Sequence, residues 1–424
     1  MSLPEGLQIE PTNKCNLACV MCVRNTWRGE KFGQMDFGLY QKIIDETQGS
    51  LRRLALYGFG EPLTHPRFPD MVRYAREASD STYILTVTNG TLMTREMTEK
   101  VFGAGIDEIA FSIDAPELGL LSKIRVGTAT YDVLGNLTSA AKIKDDYDVR
   151  LGITVVLMKW NYKLLPDIAR KAGELGLDFL AVSHLVPYTE AMMKETVYTT
   201  ASRQAVEFYE KHAGDLEELA KEAIYDVMLQ HYTLTSSGKK QLYLQLVDKL
   251  GSSGYSLNVD ISRDAVQRKE LLSEVEMYIE KAASIAKEYG LEVKLPNVYA
   301  DANKRSCPYI DLNYAMILWN GDVVPCMDLA YTHPLYTNLH PKTIKKLVFG
   351  NVEKQSLSDV WSSSSFKWFR ETRKNLSKNV PWCGDCQFAT RDCWYIRVNE
   401  YDCYGNEVGC NECIYSAGLA HCLI

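Results

Sequence analysis

Cysteine is missing from the whole middle of this chain. Twelve cysteines occur in 424 residues, and none lies between Cys22 and Cys307. Long apolar runs are missing as well: no stretch approaches the ~18 residues needed to cross a bilayer. Met1–Glu10 lacks the basic start and apolar core of a secretory signal. No membrane association is expected, and the cytoplasm is the expected location. There is no excess of positive charge either. The formal net charge of −7 gives no electrostatic reason to expect nucleic acid as a partner. Histidine is scarce, with none before His65. Sequence repeats and low-complexity segments are absent. What is present is 46% hydrophobic residues, enough for a sizeable core, on a length that suits two domains or one large domain with an appendage.

From residue 6 to about 186, strand-like and helix-like runs alternate. Strands are expected at Leu7–Glu10, Leu51–Tyr57, Tyr83–Thr88, Ile106–Ile113, Arg150–Leu157 and Phe179–Leu185. Helices are expected at Phe37–Thr47, Pro66–Ala78, Thr94–Gly103, Tyr131–Lys144 and Leu164–Leu175. Such alternation implies a parallel sheet with helices outside. Because it stops after about six units, a partial (β/α)6 TIM-like barrel is expected rather than a closed eight-fold one. The expected organisation is a core barrel over 1–186, a helical insert and bridging region over 187–300, and a small cysteine-rich domain over 301–424. The insert has a strong helix at Val275–Tyr289, a short strand at Leu291–Leu295, and turn signals at Ser236-Ser237-Gly238 and Gly251-Ser252-Ser253-Gly254. Its Tyr225, Tyr232, Tyr243 and Tyr255 suit either a lid or docking surface, or an elaboration with buried tyrosines.

In a reducing compartment twelve cysteines point to metal rather than disulfides. Cys15, Cys19 and Cys22 form C-x3-C-x2-C in a loop after the first strand. Zinc wants four ligands, and no histidine is near to supply the fourth. Three thiolates on a cubane cluster leave one iron open. This spacing after a first strand resembles the radical S-adenosylmethionine (SAM) superfamily. The resemblance implies that the open iron of a [4Fe–4S] cluster chelates SAM. An electron then splits SAM into methionine and a 5′-deoxyadenosyl radical, which takes a hydrogen atom from the substrate.

Gly58-Phe59-Gly60-Glu61-Pro62 follows the second strand and resembles the family's Gly-Gly-Glu motif, with Phe59 in place of the second glycine. The resemblance implies that this segment receives the SAM amino group, with Glu61 accepting from the ammonium. Asn89 ends the third strand; Ser112 and Asp114 end the fourth, where ligand groups of parallel α/β folds gather. By resemblance Ser112 and Asp114 meet the ribose hydroxyls or carboxylate of SAM. Arg125 meets the carboxylate, with Asn136 a further candidate, and His184 faces SAM or substrate. A surface arginine and a satisfied core histidine are the plainer readings of Arg125 and His184.

The remaining cysteines are Cys307, Cys326, Cys383, Cys386, Cys393, Cys403, Cys410, Cys413 and Cys422. Asn320-Gly321-Asp322 reads as a hairpin turn that brings Cys307 and Cys326 together. The C-x13-G-x4-C spacing, the segment Gly350–Trp361 and the later C-x2-C resemble the SPASM domain. That resemblance implies two auxiliary [4Fe–4S] clusters. The tail, C-x2-C-x6-C-x9-C-x6-C-x2-C-x8-C, departs from the usual pattern, so cysteines are not allotted to clusters from sequence. Eight of nine would serve two clusters. The ninth is structural or a hydrogen-atom donor, and zinc at one site is the metal alternative.

The ending from Asn399 to Cys422 resembles the maturases associated with tungsten-dependent aldehyde oxidoreductases. The expected function is therefore radical modification of a protein, a peptide or a complex cofactor such as a (tungsto)pterin. A low-potential ferredoxin or flavodoxin is the implied electron donor. Two alternatives stand beside it: a modifier of ribosomally made peptides (crosslink, thioether or epimerisation), and a non-enzymatic iron–sulfur or zinc protein. With the barrel starting near residue 6, no leader-binding domain is expected before it. Glu190, Asp311 and Asp328 join His184 as candidate acids or bases.

Overall fold

In a computed structural model of the chain, described for residues 3–47, 49–229, 245–246, 248–389 and 393–422 (backbone alone over 217–229), the six expected strands all form. They are β1 (Gly6–Ile9), β2 (Arg53–Leu56), β3 (Tyr83–Thr88), β4 (Glu108–Ser112), β5 (Arg150–Leu157) and β6 (Phe179–His184). Each pairs in parallel with the next. Helices return the chain between them. The Phe37–Thr47 helix shows why: Leu39, Tyr40, Ile43 and Ile44 recur at helical spacing and all are buried. The Phe68–Ala78 helix starts on a proline in its first turn, and Thr94 and Asp132 cap the helices that follow them.

The sheet runs on past this half-barrel at both edges. β7 (Glu292–Lys294) adds in parallel to β6, where the bridging region was expected to supply a strand. At the other edge β8 (Tyr314–Ile317) adds in parallel to β1, and β9 (Asp322–Val324) folds back on β8. The expected hairpin is thus real, with Gly321 at φ +82° in its turn. It continues the main sheet instead of starting a separate one. A two-stranded ribbon, β10 (His333–Thr337) with β11 (His340–Ile344), stands apart, and β12 (Gly350–Asn351) closes on β9.

In the insert, the helix Lys269–Glu288 packs on the Leu165–Glu174 helix, with Lys163 bridging to Glu274 at 2.7 Å. The helices Arg203–Leu229 and Val259–Gln267 enclose a satellite core of Ala205, Tyr209, Leu216, Leu250, Leu257 and Val259, against which Tyr255 packs. The side chain of Tyr225, together with Tyr232, Tyr243 and Ser236–Gly238, lies outside the described residues. Among the described residues no helix is long and apolar enough to cross a membrane.

Candidate active site

The cysteine loop leaves the C-terminal end of β1 and is stapled from two sides. Ala18 and Val20 donate backbone hydrogen bonds to the carbonyls of Val126 and Ile124, each at 2.9 Å. Glu61 N donates to Lys14 O at 2.8 Å. The glycines of the second-strand motif serve this close approach. A Cβ on Gly60 would stand 2.2 Å from Thr12 O and 2.5 Å from Lys14 O, and one on Gly58 would meet the Glu10 side chain at 2.4 Å. Cys15, Cys19 and Cys22 lie within electrostatic reach of one another. Burial pushes the Cys19 thiol up to about 11, against the pull of Arg125. A metal has to draw that proton off.

The polar residues nominated for SAM are brought together here, and most are engaged with the protein. Glu61 Oε1 accepts from Thr88 Oγ1 at 2.7 Å and from Leu63 N at 3.2 Å, while Oε2 accepts from Asn89 N at 2.7 Å. Burial raises this carboxyl to about 7 despite those donors. Asn89 Nδ2 donates to Asn16 Oδ1 at 2.9 Å and reaches Cys15 Sγ at 3.7 Å. It therefore steadies the cysteine loop. Asp114 Oδ1 accepts from Val156 N at 2.8 Å, and its Oδ2 stands 2.7 Å from Arg125 Nε. Arg125 is thus no surface arginine: it is a buried ion-pair partner beside Cys19. Ser112 Oγ receives Thr154 Oγ1 at 3.3 Å, and Asn136 Nδ2 supports the Gly90 turn through its carbonyl at 2.8 Å. His184 Nε2 pairs with Asn297 O at 3.0 Å, its Nδ1 is buried without a partner, and burial lowers the imidazole to about 3, so it is neutral.

A cavity of about 310 Å³ joins the two ends of the chain. Cys22 lines it together with Cys307, Cys326, Cys410, Cys413 and Cys422. Of the residues nominated for SAM, His184 alone reaches this cavity; Tyr57, Phe59, Tyr188 and Asp328 share the wall. Asp328 stands 3.7 Å from His333 Nε2. Glu190 and Asp311 do not belong to the site: Glu190 pairs with Lys194 at the surface, and Asp311 is exposed at the end of a short helix. The other four cysteines form a second group. Cys383, Cys386 and Cys393 share a small buried cluster, and Cys403 lies within electrostatic reach of Cys386 and Cys393. The insert cradles this group. Asn258 Nδ2 donates to the carbonyls of Cys386 at 3.2 Å and Ala389 at 3.0 Å, and Trp382 Nε1 donates to Thr200 O at 3.1 Å.

Between the groups lies a buried network that sequence reasoning missed. Lys342 Nζ donates to Glu412 Oε2 at 2.9 Å and to Asn411 Oδ1 at 3.0 Å; His340 Nε2 bonds Glu412 Oε1 at 2.8 Å. Burial pushes Glu412 up, but Lys342 and His340 outweigh it and leave the carboxyl at about 2. Asn411 Nδ2 reaches Cys383 Sγ at 3.0 Å. The available signal was Asn411-Glu412 inside the Cys410-x2-Cys413 pair, polar residues in a stretch dense with metal ligands.

Five cysteines of the C-terminal region join Cys22 in lining a mainly apolar cavity, and four more gather away from it; thiolates are the usual donors of iron–sulfur sites. Comparison with known proteins agrees. The Radical SAM superfamily model matches residues 9–197, and the SPASM iron–sulfur cluster-binding domain model matches residues 307–387. The chain belongs to the radical SAM superfamily. It is a radical SAM enzyme with a SPASM domain, and its cofactors are SAM and iron–sulfur clusters. It is 29% identical over 425 residues to the tungsten-containing aldehyde ferredoxin oxidoreductase cofactor-modifying protein of Pyrococcus furiosus, covering 99% of this chain and 97% of that one. It is 27% identical over 184 residues to the AdoMet-dependent heme synthase of Methanosarcina barkeri, 43% of this chain and 51% of the relative. The solved structure of native anSMEcpe with bound AdoMet shares the fold at 13% identity, with a TM-score of 0.52 over 90% of this chain and 87% of that one.

Proposed function

We propose that this radical SAM enzyme matures a protein or its (tungsto)pterin cofactor. The observation that carries the reading is the end-to-end similarity to the Pyrococcus furiosus cofactor-modifying protein, which includes both cysteine regions. In this reading Cys15, Cys19 and Cys22 hold the catalytic [4Fe–4S] cluster. Cys307, Cys326, Cys410 and Cys413 hold one auxiliary cluster. Cys383, Cys386, Cys393 and Cys403 hold a second, and Cys422 is the ninth thiol. Their partition into five that line the cavity and four that gather away from it supports this division.

With its cofactors bound, the site supplies a 5′-deoxyadenosyl radical for hydrogen abstraction. The chain's own residues orient and enclose. The Gly58–Glu61 loop and Asn89 fix the cysteine loop at the end of the sheet. Asp114 and Arg125 stand on its other side, within electrostatic reach of Cys19. Tyr57, Phe59 and Tyr188 wall the cavity against water, as radical chemistry requires. Neutral His184 offers an unpaired nitrogen to SAM or substrate. A low-potential ferredoxin or flavodoxin delivers the electron.

The test is to reconstitute the protein without oxygen, supply SAM and reductant, and offer either metallopterin, the apo-oxidoreductase, or a ribosomal precursor peptide. 5′-Deoxyadenosine released in step with a mass change on the pterin or oxidoreductase supports the reading. A mass change on the precursor peptide alone replaces it with the peptide-modifying alternative.

A further inference from the structure

Among the described residues, the buried cation beside Cys410 has no carboxylate partner. Arg373 is 2% exposed, at the end of the Ser364–Arg373 helix, with its guanidinium 3.8 Å over the Phe369 ring. Nη1 donates to Phe369 O at 3.2 Å and Thr372 Oγ1 at 2.6 Å; Nη2 donates to Glu407 O at 3.1 Å and to Val408 O. The last donor, Nε, points at Cys410 Sγ, 3.4 Å away. Among the described residues no carboxylate pairs with it. Isolated buried charge is strongly unfavourable, so the counter-charge belongs to whatever Cys410 carries.

Two other buried cations next to cysteines are neutralised within the protein. Arg125 has Asp114 at 2.7 Å, and Lys342 has Glu412 at 2.9 Å. Arg305 adds to the same positive field from farther off: its guanidinium bonds only carbonyls, and it lies within electrostatic reach of Cys413, Cys410 and Cys383.

We infer that Arg373 is a positioning residue that sets the reduction potential of the auxiliary cluster held at Cys410. Its N–H···S bond and its uncompensated charge both favour the reduced, more negative cluster. That cluster therefore titrates at a higher potential than the one in the Cys15–Cys22 loop. The inference rests on the assignment of Cys410 to a cluster made under Proposed function.

The test is a redox titration, followed by electron paramagnetic resonance, of the anaerobically reconstituted full chain. It is run with and without Cys15, Cys19 and Cys22 replaced by alanine, so that auxiliary signals are seen alone. In Arg373→Gln, one auxiliary cluster is expected to shift at least tenfold toward the oxidised form at fixed potential, about 59 mV for a one-electron couple. The N-terminal cluster stays where it was. Arg373→Lys, which keeps charge but loses the Nε–H, falls between. An unmoved potential with all iron present overturns the inference and leaves the cluster assignment standing. A Cys410→Ala protein that keeps its full iron and sulfide overturns the assignment itself. If Arg373→Gln loses iron, Arg373→Lys decides: a partial shift supports the inference, while an unmoved potential or lost iron overturns it.

Discussion

The two cysteine regions balance their charge in different ways. At the N-terminal loop the buried cation is matched: Arg125 meets Asp114, and Glu61 is satisfied by Thr88 and Asn89. The loop is held by backbone bonds to Lys14, Ala18 and Val20, and its residues come from one stretch of chain. At the C-terminal region the thiols come from segments up to 115 residues apart, Cys307 to Cys422. Arg305 and Arg373 lie buried there on carbonyls and sulfur. The number of thiols says how much metal a region can hold. The regions differ in that number, three against nine, and also in the charge set around the thiols.

The largest test of this division is to remove one region's thiols. Replacing Cys15, Cys19 and Cys22 together by alanine is expected to abolish 5′-deoxyadenosine formation while auxiliary iron stays, checked by chromatography and iron and sulfide counts. Iron falling to zero would show that the regions do not load independently. Gly60→Ala probes the N-terminal loop more gently. Its new Cβ would push on the Thr12 and Lys14 carbonyls, which are backbone and yield poorly. A loss of SAM cleavage of roughly a hundredfold is expected, the scale of an ångström-sized misplacement, again with auxiliary iron retained.

The C-terminal region should respond chiefly in stability. Lys342→Met takes the lysine from buried Glu412 and leaves it to His340 and Asn338, which is expected to destabilise the reconstituted protein by about 3 kcal/mol in urea unfolding. The double variant with Glu412→Gln should recover part of that loss, because the two sites are coupled. The smallest effect belongs to His184, where the regions meet: its backbone N bonds Leu419 O at 3.1 Å. Its folded-state value of about 3 lies below the usual 6.5, so the unfolded chain binds the proton more tightly. Stability from this group is present above pH 6.5 and is lost as the pH falls toward 3. Between pH 7 and 5 the native protein should lose about 2 kcal/mol more than His184→Gln. Parallel curves would mean that the imidazole is not shielded.

The half-barrel was legible because each strand and helix announces itself locally, in apolar spacing and in turn residues such as Asn89-Gly90. The N-terminal cysteines were legible for the same reason, all lying within one loop. Local reading failed where partners are distant. The sequence named Glu61 for an ammonium group but did not show that its oxygens also accept from Thr88 and Asn89 at the end of β3. Arg125 was named for the SAM carboxylate with a surface arginine as the plainer reading, and its pairing with buried Asp114 near Cys19 rules out only the plainer reading. Glu190 and Asp311 carried the right chemistry in places the fold turns outward.

From the sequence alone came the strand–helix order, the three-thiol loop with its deficit of one ligand, and the supply of nine further thiols. These depend on residue type and short spacing. Tertiary structure decided the partition of those nine thiols, the cavity that Cys22 shares with five of them, the insert that cradles Cys386, and the bare charge of Arg373 against Cys410. Each of these is a distance between residues far apart in the chain. Such distances are set by how the sheet, the insert and the tail pack together, and no local pattern encodes them.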